Sequence, residues 1–277
     1  HYSGLLATSD SFWNNLKNNV IVKTLGILDI FTFRNFYVNT LIFNISVFIG
    51  SVAFYRTIRD NLHFNSQIIA PIVFLYPFSL FFTSTIHKDG LVWMCLGLVM
   101  FSFSRLLSSG INFKRILLFL FGFLLIFAIR NYLSFVLVPA LVAWWLSYKN
   151  PTNSILINVM ILSLCVLLFF SLKIFLPAAD FPQFVVSRLE SFDELASISR
   201  TYLPVKSLTP DFLGFVQTFP VAFVHSFLMP SLWSKPTMLE MPFAIEIVVL
   251  QILFIIWLFR RKFKRSPIAG FILFVSL

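Results

Sequence analysis

Charge is what this sequence has least of. Only 12% of its 277 residues are Asp, Glu, Lys or Arg, whereas soluble domains carry about 25%. Acidic residues are the scarcer sign, with 11 against 21 basic ones. A composition that is 58% hydrophobic, with a mean hydropathy of +0.89, excludes an ordinary soluble domain and predicts an integral membrane protein.

Several chemical signatures are also absent from the sequence. It contains no Gly-rich nucleotide-binding loop, no His-Glu-x-x-His zinc motif and no Gly-x-Ser-x-Gly nucleophile turn. Its two cysteines, Cys95 and Cys165, lie inside apolar runs and indicate neither a redox compartment nor a metal site. We therefore expect no cofactor, and a divalent metal has no support in the sequence.

The net charge of +10 would point to nucleic acid in a soluble protein. In a membrane protein it has a better explanation, because Lys and Arg accumulate in cytoplasmic loops and set the orientation of the chain. The 37 phenylalanines suit contact with lipid. No nucleic-acid partner is expected.

The clearest element is a membrane hairpin with charge at its tip. Residues 68–86 and 90–104 contain no charged side chain, and His87, Lys88 and Asp89 lie between them. Burying such ionised groups in hydrocarbon costs about 2.5–3.5 kcal/mol each. We predict two membrane helices, the first kinked by Pro71 and Pro77, joined by a tip at the membrane surface.

The whole chain predicts an all-α, polytopic bundle of about seven complete spans and a truncated last helix. Further spans are predicted at 35–55, 116–129, 133–148, 154–172 and 241–259. The domains are then an outer-face amphipathic arm, 1–34, and a transmembrane domain, 35–277, with an outer-face loop over 173–240. Because the final apolar stretch is too short to span, we expect the sequence to be part of a longer chain.

Alternating the spans divides the connections between two sides. One side receives 56–67, 105–115 and 149–153, which hold six basic residues and one acid, Asp60. This excess predicts a cytoplasmic side. The basic run at 260–265 contains no acid, so it is predicted to be cytoplasmic too. If 212–229 crossed the membrane, this run would lie outside. Residues 212–229, which include Gly214 and Pro220, are therefore predicted to be a broken, re-entrant or interfacial segment and not a span.

The opposite, outer side collects the groups that could perform chemistry. Two tips are dense in ionisable and polar residues: His87, Lys88, Asp89, Arg130, Asn131 and Tyr132. A cation at a tight outer tip opposes the orientation rule, so it needs a reason. Lys88 and Arg130 are predicted to bind phosphate, with Asp89 or His87 as general base or acid. Alternatively, Lys88 pairs with Asp89 and Arg130 reaches lipid headgroups.

The aqueous stretch 178–211 adds further outer-face cations, Arg188 and Arg200, and the apolar segment after it contains His225. Residues 187–200 have apolar side chains at helical spacing, which predicts an amphipathic helix packed on the outer face or acting as a lid. Glu246 lies within the last complete span, where it could pair with a cation or serve transport.

Two stretches carry a resemblance to a known group of proteins. Residues 77–91 read Pro-Phe-Ser-Leu-Phe-Phe-Thr-Ser-Thr-Ile-His-Lys-Asp-Gly-Leu. This resembles a segment of bacterial polytopic proteins from polysaccharide gene clusters, where an apolar run meets a Lys-Asp or Arg-Gln pair. The run from Phe219-Pro-Val-Ala to Met229-Pro-Ser-Leu-Trp233 is similar to the same group. The chain thus resembles GT-C-type glycosyltransferases and O-antigen-polymerase-like proteins.

The resemblance implies glycosyl transfer or polymerisation in cell-envelope polysaccharide synthesis, at the outer face of the bacterial cytoplasmic membrane. The donor would be a polyprenyl-phosphate-linked saccharide, and membrane lipid and envelope-assembly proteins would be further partners. Arg130, Arg188 and Arg200 match the outer-face arginines of the polymerase-like proteins, with Asn131, Tyr132 and His225 in support.

One departure from the resemblance concerns the catalytic base. GT-C enzymes usually carry an acidic residue in their first outer loop, and the comparable region here is either outside the sequence or the arm that contains Asp10. Two other functions stay open: a transporter or flippase for an anionic envelope lipid, and a non-catalytic scaffold subunit. The nearly uncharged spans count against transport.

Overall fold

A computed structural model describes residues 9–62, 66–75, 80–81, 83–175, 180–196, 208–229, 238 and 241–260. Helices make up nearly all of these ranges, and no strand occurs within them. The predicted all-α class is confirmed. The helices, numbered in chain order, are α1 Ser9–Thr32, α2 Phe36–Leu62, α3 Ser66–Phe74, α4 Lys88–Ser109, α5 Phe113–Ile129, α6 Asn131–Lys149, α7 Ser154–Phe175, α8 Phe181–Ala196, α9 Phe212–Leu228 and α10 Met241–Arg260.

Four of the described helical stretches are long and apolar enough to cross a membrane: Phe36–Leu62, Lys88–Ser109, Asn131–Lys149 and Pro151–Ile174. The 17 residues of α5 rise about 26 Å, close to the roughly 30 Å of a hydrocarbon core. Two shorter apolar stretches are Phe212–Ser226 and Met241–Ile252. These lengths support an α-helical membrane protein, and a total of seven spans stays a prediction.

The described residues form two compact units, 9–158 and 159–260. In the first unit α2 and α4 run parallel, because their contacts advance together along both helices. Phe43 faces Gly90, and Gly50 faces Gly97. Asn61 donates a hydrogen bond to Ser104 at 2.8 Å. The chain between two parallel helices has to return to the end where it started.

The return begins with α3, whose Phe74 ring packs 5.5 Å from the ring of Phe48 and 5.7 Å from that of Tyr55. This helix ends at Phe74 and the chain bends at Leu75, so the predicted helix over 68–86 is not one continuous helix. Pro71 lies inside α3, where it removes one backbone donor and crowds the preceding turn. Pro77 lies outside the described residues.

The other two long helices of the first unit follow α4 in a simple hairpin order. α5 is antiparallel to α4, with Phe119 against Phe103 at 5.9 Å between ring centroids. α6 then runs parallel to α4, with Trp144 against Phe103 at 5.4 Å. The connections predicted to share a side of the membrane therefore lie at the same end of this unit. Which end faces which compartment stays a prediction.

The charged tips are shorter than the sequence suggests. Lys88, Asp89 and Gly90 belong to the first turn of α4, after His87 as N-cap, and are not a loop between helices. A single residue, Arg130, separates α5 from α6. The His87 N-cap explains the earlier start of α4, because the backbone of His87 is extended and its carbonyl oxygen accepts from the Gly90 N–H at 3.2 Å.

The predicted arm is a helix of 24 residues, α1, that packs against α2 and α5. It ends at a left-handed turn in which Phe33 and Arg34 have φ values of 52° and 62°. Asn39 of α2 donates to the Asp29 carboxylate at 2.6 Å. It also accepts from the Thr32 hydroxyl at 2.6 Å. These side-chain bonds fasten the end of α1 to the start of α2.

The second unit is joined by phenylalanines. Rings of α7, α8 and α9 meet with centroids 5.4–6.4 Å apart, in the set Phe169, Phe170, Phe181, Phe212 and Phe215. Some of the phenylalanines attributed to lipid contact therefore pack on one another. The prediction that 212–229 is broken at its proline is wrong, because α9 continues through Pro220. Its re-entrant or interfacial placement stays a prediction.

Candidate functional site

The site is the place where the two predicted outer tips meet. Because α4 and α5 are antiparallel, the start of α4 lies beside the end of α5. There the Arg130 guanidinium donates through Nη2 to Oδ1 of Asp89, forming an ion pair between residues 41 positions apart. Both side chains are about one-third exposed, at 34% for Asp89 and 35% for Arg130. The pair is therefore mostly shielded from solvent and still reachable by a ligand.

Packing against α2 supports the first turn of α4. Gly90 is buried, and a Cβ atom there would lie 2.9 Å from Cε1 of Phe43. This close approach lets the start of α4 press against α2. Phe43 belongs to a core cluster with Val47, Leu91 and Ile129. The backbone that carries Asp89 is thus supported by packing and by the His87 cap.

His87 contacts the second oxygen of the Asp89 carboxylate. Its Nδ1 lies 3.0 Å from Oδ2 of Asp89 and 3.4 Å from the Asp89 backbone nitrogen. The shorter contact joins the ring to a carboxylate, which favours a proton on Nδ1. In the neutral ring Nε2 then holds the lone pair. Asp89 accordingly has one oxygen directed at Arg130 and the other at His87.

Arg130 is directed by its neighbours toward this carboxylate. Its Nη1 donates to the Tyr132 hydroxyl, and its guanidinium carbon lies 5.9 Å from the centroid of the Tyr132 ring. Its backbone N–H donates to Ile126 at 2.7 Å and closes α5. Asn131 accepts from the Tyr132 backbone nitrogen at 3.0 Å. Arg130 is therefore held as part of a network and is not the isolated cation suggested by its sequence position.

A cavity of about 250 Å³ opens beside the ion pair. Asp89, Arg130 and Tyr132 border it, and the surface that lines it is almost entirely apolar, with Val92, Trp93, Leu96 and Leu133 as its apolar residues. The α4 residues lie three or four positions apart, which places them on one helical face. One wall is fixed, since the Trp93 indole nitrogen donates to the Ser51 hydroxyl at 2.9 Å. The cavity combines a charged rim with a hydrocarbon wall.

The remaining candidates have separate positions. Lys88 is the half-buried first residue of α4. Arg188 and His225 belong to the second unit, where Arg188 is exposed over the Phe184 ring at 5.2 Å. Arg200 lies outside the described residues. The structure thus brings together His87, Asp89, Arg130 and Tyr132.

Trp93 and Ser51 are site residues that sequence reasoning missed. Trp93 lies four positions after Asp89, so helical spacing alone could have placed it on the same face. Ser51 had no such signal, since it lies on α2 and reaches the cavity wall only through the parallel pairing of α2 and α4.

The chain matches none of the protein-family models, curated proteins or solved structures with which it was compared. Within the described part of the chain, no three His, Cys, Asp or Glu side chains come together as a metal site requires. The chemistry of the site has to be argued from the ion pair, the imidazole and the cavity.

Proposed function

We propose that this chain transfers a glycosyl group from a polyprenyl-phosphate-linked saccharide at the outer face of a cytoplasmic membrane. The observation that carries the proposal is the Asp89–Arg130 pair at the rim of a cavity with an apolar wall. A donor of this class joins an anionic phosphate to a hydrocarbon chain. The rim suits the phosphate, and the wall formed by Val92, Trp93 and Leu96 suits the chain.

The cations supply the electrostatic part of the mechanism. A guanidinium has five N–H donors, so Arg130 retains donors beyond those directed at Asp89 and Tyr132. Lys88, the first residue of the same turn, is the other cation that the sequence predicts to bind the phosphate. Positive charge at this position favours a group that becomes more negative as it leaves. Preorganised charge of this kind acts mainly in the transition state.

The reaction is a displacement at the anomeric carbon. An acceptor hydroxyl oxygen forms the new bond to that carbon, and the bond from carbon to the phosphate oxygen breaks. The bonding electron pair leaves with the polyprenyl phosphate or pyrophosphate. The hydroxyl proton passes to Nε2 of His87 as general base. Asp89 acts as the positioning residue, because its Oδ2 orients the imidazole through Nδ1.

The same geometry also favours a second candidate, a scaffold subunit in which the ion pair only fastens α4 to α5. Both oxygens of Asp89 have protein partners, as in a purely structural network. Substitution of His87 distinguishes the two candidates, because a purely structural role of the ion pair would not depend on a free imidazole lone pair.

Complementation in cells that lack the native copy tests the proposal. We expect His87→Gln to lower glycan production by about 10²–10⁴-fold, with the membrane protein level unchanged. Arg130→Lys should also impair production, because Lys cannot reproduce the planar fork of donors. The control is Lys23→Gln, which removes an exposed cation on α1. Wild-type production by His87→Gln and Arg130→Lys would reject the enzyme and leave the scaffold.

A further inference from the structure

The end of the first unit opposite Asp89 carries a concentration of cations from four helices. We call it the basic rim, and it consists of Arg56 and Arg59 of α2, Arg105 of α4, Lys114 and Arg115 of α5, and Lys149 of α6. The connections that hold these six cations contain one acid, Asp60. None of these residues belongs to the site at Asp89.

Direct contacts place these helix ends at one level. Oδ2 of Asp60 accepts from Nη2 of Arg105 at 3.0 Å, which aligns the end of α2 with the end of α4. Arg115 donates to the carbonyl oxygens of Arg105 at 3.2 Å and Gly110 at 2.9 Å. The start of α5 is therefore beside the same end. The contact between Phe103 and Trp144 brings α6 alongside.

Each of three helices has an aromatic ring one turn before its cation. Arg59 lies over Tyr55 at 5.7 Å, Arg105 over Phe101 at 5.3 Å, and Lys149 over Trp145 at 4.1 Å from the ring centroids. Every ring is on the side of its cation nearer the middle of the helix. This order, hydrocarbon then aromatic then cation, is how helices meet the headgroup layer of a membrane.

The charges within the basic rim do not balance. Arg59 and Arg105 share the one carboxylate, Asp60, and Arg115 is directed at the end of α4. Arg56, Lys114 and Lys149 are exposed. Exposed cations at the height of the aromatic layer attract anions there, and phospholipid phosphates lie at that height.

We propose that the basic rim is a binding surface for the headgroups of anionic phospholipids. Arg56, Lys114 and Lys149 contact the headgroups, while the aromatic residues fix the depth of the helix ends. The Asp60–Arg105 pair keeps α2 and α4 level, so that cations from separate helices act on one lipid layer. This surface is independent of the proposed glycosyl transfer.

The test uses the full chain in nanodiscs that contain phosphatidylglycerol and phosphatidylcholine. Spin-labelled forms of the two lipids report their relative association constants with the protein. We expect wild type to prefer phosphatidylglycerol. Arg56→Gln/Lys114→Gln should reduce that preference by about fivefold for each cation removed at low salt, the size expected for a basic residue at an anionic surface.

The matched control is Lys23→Gln/Arg34→Gln, which removes two exposed cations from α1 and the turn after it. It should keep the wild-type preference, which separates a local effect from a change in net charge. Wild type at about 1 M salt, where the Debye length is about 3 Å, should lose the preference without any substitution. This second measurement protects the test against a variant that does not fold.

Two results would overturn the proposal. One is equal association of the two lipids with wild type at low salt. The other is a wild type that shows no lipid preference but binds polyglutamate in detergent, with this binding abolished by Arg56→Gln/Lys114→Gln. That result would assign the basic rim to an acidic protein segment.

Discussion

A Cβ atom on Gly97 would lie 2.2 Å from the carbonyl oxygen of Gly50, so α2 and α4 touch backbone to backbone. The reverse contact is equally close, with a Cβ on Gly50 reaching 2.3 Å from the Cα of Met94. Small residues permit such approach between membrane helices, where packing and not water drives association. This crossing supports both the start of α4 and the wall that contains Trp93.

The crossing predicts that Gly97→Ala destabilises the protein. The added methyl group must push two backbones apart, and overpacking of this kind costs about 1–3 kcal/mol. Thermal unfolding in detergent should show a lower midpoint. Gly26→Ala is the control, because a Cβ there meets nothing within 4 Å. An unchanged midpoint for Gly97→Ala would show that α2 and α4 are not in this contact.

The Asp89–Arg130 pair predicts non-additive effects on stability. Asp89→Asn and Arg130→Gln each leave one partner uncompensated, whereas the double variant leaves none. We expect a coupling free energy of about 0.5–3 kcal/mol in a double-mutant cycle, measured by unfolding in detergent. Additive effects would mean that the two side chains do not pair.

The hydrogen bond from Trp93 to Ser51 predicts that Ser51→Ala loosens the cavity wall. The indole nitrogen would lose its partner, at a cost of about 1–3 kcal/mol if it stays buried. Near-ultraviolet circular dichroism and the mobility of a bound spin-labelled lipid should both report a less ordered wall. Ser46→Ala is the comparison, because the Ser46 hydroxyl bonds only within its own helix, to Ile42 at 3.0 Å. Identical spectra for both variants would contradict the role of Ser51.

The parallel course of α2 and α4 predicts that the two helix ends face different compartments. A single cysteine at Asn112, in the turn before α5, should be protected from an impermeant maleimide added outside. A cysteine at Tyr132 should be labelled. Labelling of both or neither would remove the assignment of sides, and the opposite pattern would invert it.

Much of the first unit could be predicted from sequence because a long apolar run identifies a membrane helix. The spans at 116–129 and 133–148 correspond to α5 and α6 within a few residues. The alternation of sides also placed Asp89 and Arg130 at one end. Their direct pairing could not be predicted, because the angle and height of α5 against α4 depend on packing at Gly122, which contacts Val99 and Cys95.

The single helix predicted over 68–86 is too long. Apolar length predicts a span, but α3 ends at Phe74. Pro71 is not where it ends, since α3 continues through Pro71 as α9 continues through Pro220. Neighbouring contacts decide whether a helix that contains proline continues, and a single sequence does not contain them.

The pairing of α2 with α4 also sets an order of events during synthesis. Gly50 cannot meet its partner until Gly97 has been made, 97 − 50 = 47 residues later. At about 5–20 residues per second this leaves the Gly50 face uncovered for roughly 2–9 s. During that interval α2 can be held only by lipid, by α1 or α3, or by the insertion machinery. An uncovered glycine face on α2 therefore distinguishes a nascent chain from one in which α2 and α4 have paired.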